Sequence, residues 1–495
     1  MRAWQLPLAG AVLTALLLAL LFPPFDLAFL APAALTPLLF ALAREPFPGR
    51  RFLWGWLSGF LYWIIVCHWI RDVLAAYGGL NGPLSVLALV LFAVAKGLHT
   101  AVFAWLAGMV IQRPWAIPAV AALWTGIERT HAPLGFPWLA LGNAGISMGV
   151  PLRAAPVVGV YGVSYILAML GCALALVALR RPRKELAWLL ALPLLLLLPA
   201  AGPRQAPQAT AVAVQTNVSG DARWTEEETE RAVRQLSLLT LQEALDPAKP
   251  KPALLLWPEA PAPFYYYNDA AFRLQVTETA RLAGAPFLFS GVAFTARREP
   301  LNSAVLLSGD GALLGRYDKV ELVPFGEYVP WGFGWIEKIS GEAGDFAAGS
   351  GAKVLTAGEH GIGAFICYES AFPHHVRQFA RQGAEVLVNL TNDGYFGQAA
   401  APRGQHLLLA RMRAVENGRW LLRPSNDGIT VSIDPAGRVW DRLPERRRLA
   451  GRLRFAWEHG QTPYTQHGDW FAWLSLAAGL LAALAEQIPS YRPLR

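Results

Sequence analysis

The chain has 495 residues, 54% hydrophobic and only 16% charged, with a net charge of +8. That composition excludes intrinsic disorder as the main state, because there is ample apolar surface to bury, and it fits one ordinary soluble domain poorly. Residues 1–200 hold 13 Lys and Arg and 5 Asp and Glu, whereas the other 60 charged residues follow them, so the first part reads as membrane and the second as mostly aqueous protein.

Residues 3–25 carry no charge behind Arg2. More apolar runs follow without a clear cleavage site, so this stretch reads as a retained helix rather than a signal peptide. Further candidate spans are 27–43, 52–70, 83–111, 115–128, 155–179, 186–201 and 470–486. The uncharged stretch 130–152, with its Pro, Gly and His residues, reads as a loop or re-entrant segment. The expectation is an α-helical membrane domain of about eight spans. With the N-terminus inside, inner segments hold eleven Lys and Arg and the short outer loops only Arg71, Arg129 and Arg153. This bias puts both termini inside and the long segment outside. The expected domains are 1–201 (about seven helices), 202–469 (external), and 470–495 (last helix and inner tail). The short basic clusters beside apolar runs suggest membrane topology and no nucleic-acid partner.

The segment 202–469 has an α/β pattern. Residues 211–218, 253–260, 286–294, 303–309, 362–370 and 385–393 read as strands. Thr225 and Glu228 form a capping box that opens a helix to about residue 246. Residues 269–284 and 405–418 are helical by period, and 420–439 suggest a hairpin around Asp434–Gly437. Strands alternating with helices favour a layered sheet–helix architecture.

Three segments carry candidate chemistry. Trp257-Pro258-Glu259 ends one apolar strand, Tyr317-Asp318-Lys319 precedes Val320–Glu327, and Ile366-Cys367-Tyr368-Glu369 ends another strand. Lys319 is one of only seven lysines, and Cys367 is the one cysteine of three outside the apolar runs that hold Cys67 and Cys172. Strand ends face the crevice where ligands bind in sheet–helix folds. There a thiolate attacks, a carboxylate moves the proton, and an ammonium stabilises an oxyanion. Taken singly, Glu259 reads more readily as a surface carboxylate, Lys319 as a solvated charge or a partner of Asp318 or Glu321, and Cys367 as core packing. Spacing alone does not bring the three together.

These motifs closely resemble the Glu-Lys-Cys triad of the nitrilase (carbon–nitrogen hydrolase) superfamily. With the flanking spans, the VNLTNDGYFG segment (388–397), the ARMRAVENGRWLLRPSNDGIT segment (410–430) and the FPW segment (136–138), nearly the whole chain resembles the apolipoprotein N-acyltransferase family. The resemblance implies an α-β-β-α sandwich. It implies Cys367 as nucleophile, Glu259 as general base and acid, and Lys319 as stabiliser of the tetrahedral intermediate. Glu327, Tyr368 and Glu369, and more loosely Trp224 and Asn302, match supporting or substrate-binding positions. The implied reaction takes an acyl chain from a phospholipid, typically phosphatidylethanolamine, through a cysteine thioester. The acceptor is the α-amine of the S-diacylglyceryl cysteine of an apolipoprotein, in the last step of lipoprotein maturation. The implied location is a bacterial inner membrane with the catalytic domain periplasmic.

Two aromatic segments read as lids or lipid-facing arms. One holds Trp331, Phe333 and Trp335, and the other Phe264, Tyr265, Tyr266 and Tyr267. Covering the domain's own core is the alternative for these rings. Lys96, His68 and His99 are candidate functional polar residues inside apolar runs, and Lys96 reads as snorkelling or lining a cavity. No Cys/His cluster has metal-ligand spacing and no Gly-rich loop suits a phosphate, so no metal or cofactor is expected. A membrane-tethered amidase or nitrilase-type hydrolase shares the triad and is the rival reading. A transporter with an external binding domain would need paired intramembrane charges and repeat symmetry, and neither is evident.

Overall fold

The computed structural model describes residues 4–486 apart from 77, 134, 219–223, 260–263, 330–345 and 398. It divides into two units: Met1–Arg71 with Asn81–Ala200 and His467–Arg495, and Asp72–Leu80 with Ala201–Gln466.

The first unit is helical. Gly82–Val110 and Ala155–Ala178 are long and apolar enough to cross a membrane. Pro48–Val66 with Trp69–Ala76, bent by 55°, makes a third if the pair is one span. Gln5–Leu20, Ala28–Leu42 and Trp470–Ala485 are apolar but shorter. The run expected at 115–128 forms a helix over Ala116–Arg129, and the run at 186–201 forms a 3-10 helix over Arg183–Leu197. A 3-10 rise of about 2.0 Å stretches that segment to about 30 Å, the thickness of a hydrocarbon core. Leucines 87, 91, 98, 481 and 484 are exposed on these helices, a surface that acyl chains accept and water penalises.

Small residues let the helices approach. A Cβ at Gly55 would lie 2.3 Å from the Ala104 Cβ, and one at Gly59 would lie 2.7 Å from Thr100 Oγ1. Any larger side chain would push Pro48–Val66 off Gly82–Val110. Lys96 is buried at the middle of its helix and donates to the Phe136 carbonyl at 2.9 Å and to His131. Its ammonium also lies 4.9 Å from the Trp63 ring centre. This charge is therefore held among partners rather than snorkelling to an interface. His99 stacks on His131 at 3.7 Å, while His68 is exposed, with Nδ1 3.0 Å from the Ile65 carbonyl. Cys67 and Cys172 are free and fully buried, as packing residues are.

Among its described residues the second unit has twelve strands: β1 (Ala209–Gln215), β2 (Leu254–Leu256), β3 (Phe287–Phe294), β4 (Pro300–Leu307), β5 (Leu313–Asp318), β6 (Leu355–Ala357), β7 (His360–Ile366), β8 (Val386–Leu390), β9 (Trp420–Arg423), β10 (Val431–Ile433), β11 (Val439–Arg442) and β12 (Leu449–Phe455). They form two six-stranded sheets, ordered β12-β1-β2-β3-β4-β5 and β11-β10-β9-β8-β7-β6. Side chains alternate across a strand. Ala211 and Ala213 of β1 therefore join Leu254 and Leu256 in a core shared with Ile362, Phe365 and Val388 of the other sheet. Val212 and Val214 face the opposite way, onto Val233 and Leu236 of helix Glu226–Ala244 and Phe272 and Val276 of helix Ala270–Ala283. Helices Pro373–Arg381 and Ala400–Asn417 pack on the second sheet. The capping box at Thr225 and Glu228 is present, with both of its hydrogen bonds. The hairpin expected around Asp434–Gly437 joins β10 to β11.

Candidate active site

The strand ends bring the sequence motifs to one buried place. Glu259 follows β2, where Trp257 anchors the segment by donating its indole N–H to Thr240 at 2.9 Å. Lys319 follows β5, and its N–H donates to the Asn302 carbonyl on β4 at 2.8 Å. Cys367 opens the 3-10 turn that follows β7. Its φ of 49° is left-handed, a strained conformation for a residue with a Cβ. Such a sharp strand-to-helix turn pushes a nucleophile out of the sheet end.

The Lys319 ammonium lies 2.9 Å from both Glu327 oxygens and 3.5 Å from Glu259 Oε1. Asn302 bridges the two carboxylates, donating its amide to Glu259 Oε1 at 2.8 Å and to Glu327 Oε1 at 2.9 Å. The Asn392 N–H donates to Glu259 Oε2 at 3.1 Å, and the Val323 N–H to Glu327 Oε2 at 2.9 Å. All of these carboxylates, the ammonium and the Cys367 thiol are buried.

Two carboxylates share one ammonium here, and that sets the proton affinities. Burial, reinforced by Glu327 and only partly offset by Lys319, raises the Glu259 carboxyl above the usual glutamate range. Burial opposes the charge on Lys319, yet Glu327 and Glu259 hold it well above its ordinary value. Burial and the Glu259 charge push the Cys367 thiol up to about 12, and Lys319 only moderates this. At neutral pH the resting group is therefore a thiol, not a thiolate. A buried carboxylate with a raised proton affinity, as Glu259 has, is the kind of group that accepts a proton from such a thiol.

Glu369 lies behind the site. Its carboxylate accepts from the Ile366 and Val320 N–H groups, both at 2.7 Å, and from the Tyr317 hydroxyl at 2.6 Å. It thereby ties the end of β7 to the segment that carries Lys319. Burial pushes the Glu369 carboxyl up, but His375 and Tyr317 hold it below its usual range. Tyr368 is buried against Phe372 at 5.1 Å.

Trp224 packs on the core between the first sheet and its helices. Phe264, expected in a lid, is instead buried: it stacks on Phe272 at 4.8 Å, and its carbonyl accepts from the Val292 N–H at 2.7 Å. Its apolar ring gains more from this core than from an interface. Tyr265 is half-buried and stacks on Phe294 at 6.0 Å. Trp331, Phe333 and Trp335 lie outside the described residues. The sequence reading missed Asn392, whose backbone holds Glu259, and the polar residues Asn389, Asp393, His406 and Arg423 below Cys367. One signal was available: Asn389 interrupts an otherwise apolar strand.

Residues 14–173 match the apolipoprotein N-acyltransferase N-terminal domain, and residues 202–449 match the carbon-nitrogen hydrolase family. The apolipoprotein N-acyltransferase of Geobacter metallireducens is 34% identical, covering 96% of this chain and 94% of that protein. The one from Azotobacter vinelandii is 35% identical over 91% of this chain and 89% of its own length. Among solved structures, an amidase from Nesterenkonia sp. is similar, with 20% identity and a TM-score of 0.40, covering 53% of this chain and 94% of that one. Both halves of the chain, in one order and over nearly full length, are those of a single family of membrane enzymes: the protein belongs to the apolipoprotein N-acyltransferases.

Proposed function

We propose that this enzyme moves an acyl chain from a phospholipid, with phosphatidylethanolamine as the donor, to the α-amine of the S-diacylglyceryl cysteine of apolipoproteins. The observation that carries the reading is the buried meeting of Glu259, Lys319 and the Cys367 thiol in a chain that matches the acyltransferases from end to end. Sγ of Cys367 attacks the ester carbonyl carbon while Glu259 takes the thiol proton. Lys319 stabilises the oxyanion. The lysophospholipid alkoxide leaves with the proton from Glu259, and the acyl group stays as a thioester. The α-amine then attacks the thioester, Glu259 takes a proton from it, and Sγ leaves and is reprotonated. The product is an amide.

Both substrates are lipids, and lifting an acyl chain into water costs about 0.8 kcal/mol per CH₂. A catalytic domain at 202–469, anchored by spans within 1–201 and by a last one within 470–495, keeps its crevice at the bilayer surface. The apolar runs support about eight spans, and the Lys/Arg bias supports both termini cytoplasmic and the catalytic domain periplasmic, in a bacterial inner membrane. The test uses the full chain in phosphatidylethanolamine vesicles with a diacylglyceryl-cysteine peptide. The expected product is the N-acylated peptide with one lysophospholipid per turnover. Release of free fatty acid at the same rate with and without peptide would instead identify a hydrolase.

A further inference from the structure

The backbone carbonyl of Cys367 is gripped from behind its thiol by two buried side chains. His406 Nε2 lies 3.0 Å from this oxygen, and Asn389 Nδ2 lies 3.3 Å from it. A carbonyl only accepts, so the His406 proton sits on Nε2. Arg423 Nη2 lies 2.9 Å from the other ring nitrogen, Nδ1. Arg423 is itself fixed by a bidentate pair with Asp393, at 2.8 and 2.9 Å, and by the Ile429 carbonyl at 2.7 Å. Asp393 Oδ1 lies 3.1 Å from His406 Nδ1 and orders the same ring edge.

Nothing in this cluster has room to shift. His406, Asp393, Arg423 and Asn389 are all buried, and a Cβ at Gly428 would sit 2.2 Å from Asp393 Oδ2. Burial pushes the Asp393 carboxyl up, but Arg423 and His406 hold it well below its usual range, so the ion pair persists over the working pH range. His406 and Asn389 meet the Cys367 carbonyl, and Arg423 and Asp393 meet His406. Their common target is the peptide that follows the strained Cys367.

That peptide matters because it is planar and trans. Fixing its carbonyl fixes the left-handed turn at Cys367, the exit direction of the thiol and the direction of the Tyr368 N–H. We propose that His406, held by the Arg423–Asp393 pair, is a positioning residue that orients the Cys367–Tyr368 peptide for attack. The inference rests on Cys367 being the nucleophile of the reading above.

The test measures acylation of the full-length protein in detergent, read as intact mass, with two donors: a phospholipid and a short p-nitrophenyl ester. His406→Leu removes the donor to the carbonyl, and His406→Gln restores an N–H at nearly the same place. The expected result is a fall of about 10²-fold in acylation rate for His406→Leu, the scale of a misplacement of about 1 Å. The donor concentration at half-saturation stays unchanged, and His406→Gln recovers most of the rate. A folded His406→Leu enzyme with wild-type rate overturns the proposal, as does a His406→Gln enzyme as slow as His406→Leu. If His406→Leu unfolds, Arg423→Lys takes its place, since lysine cannot grip Asp393 and His406 in one plane. Slower acylation with unchanged half-saturation then supports the proposal, and a wild-type rate overturns it. Wild-type protein that accepts the ester but not the phospholipid overturns the donor assignment alone, and His406 is then judged on the ester.

Discussion

Lys319 and Glu327, eight residues apart in the chain, form a two-pronged ion pair at 2.9 Å with almost no access to water. Glu259, at 3.5 Å, is thus the second carboxylate on an ammonium already engaged. Burial raises the proton affinity of Glu259, and this competition adds to it. Neutralising Glu327 removes a repulsion and leaves the ammonium to Glu259 alone, and both effects lower the Glu259 pKa. Glu327→Gln is therefore expected to move the acid limb of the acylation profile to lower pH. It should also slow acylation at neutral pH on the order of 10²-fold, because a weaker base takes the thiol proton less readily. Rates measured across pH check this, and an unmoved acid limb contradicts it.

Glu259→Gln separates thiol acidity from catalysis. The Glu259 charge helps push the Cys367 thiol up to about 12, so removing it lowers that pKa while Lys319 remains. Alkylation of Cys367 by iodoacetamide at neutral pH should become faster than in wild type, while acylation by phospholipid falls by about 10²- to 10⁴-fold. A variant that acylates at the wild-type rate would remove Glu259 from this role.

Glu369 predicts a stability effect with a definite pH window. Its folded-state pKa is depressed, so its contribution is present above the unfolded value of about 4.3 and is lost as pH falls through the folded value. His375 is its mirror image. Burial opposes its charge but Glu369 raises its pKa, so that contribution is present below about 6.5 and lost as pH rises through the raised value. Glu369→Gln should cost about 1.5–3 kcal/mol at neutral pH. Thermal melting of the two proteins at several pH values checks this, with the gap narrowing in acid and again as pH rises through the raised His375 value.

Phe264 tests core against lid. A core ring truncated to alanine costs about 3–5 kcal/mol. Phe264→Ala should lower the melting temperature while the acylation rate per folded protein holds. Normal melting with selective loss of activity on long-chain phospholipid would return this ring to the lid.

Much of the second unit was legible in the sequence because its signals are local. The apolar runs at β2, β7 and β8, the capping box at Thr225 and the Asp434–Gly437 turn each specify their own element. β12 escaped notice: its seven residues mix Arg452 and Arg454 with leucines, and only antiparallel pairing with β1 makes it a strand. Glu259, Lys319 and Cys367 were visible as motifs, but their convergence depends on the order of strands in two sheets. The support below Cys367 was hidden for the same reason, since His406, Asp393 and Arg423 come from an α-helix, a 3-10 turn and a strand. In the first unit, hydropathy marked the apolar runs, but a 3-10 helix at Arg183–Leu197 reaches further per residue than any α-helical count allows.

The central claim is that the acyl group rests on Cys367 between two lipid substrates. Intact mass spectrometry after incubation with phospholipid tests it most directly. The account predicts an acyl-sized increment on the wild type, none on Cys367→Ala, and discharge of the increment by a diacylglyceryl-cysteine peptide. An equal increment on Cys367→Ala, or an adduct on the wild type that the peptide does not discharge, would contradict it.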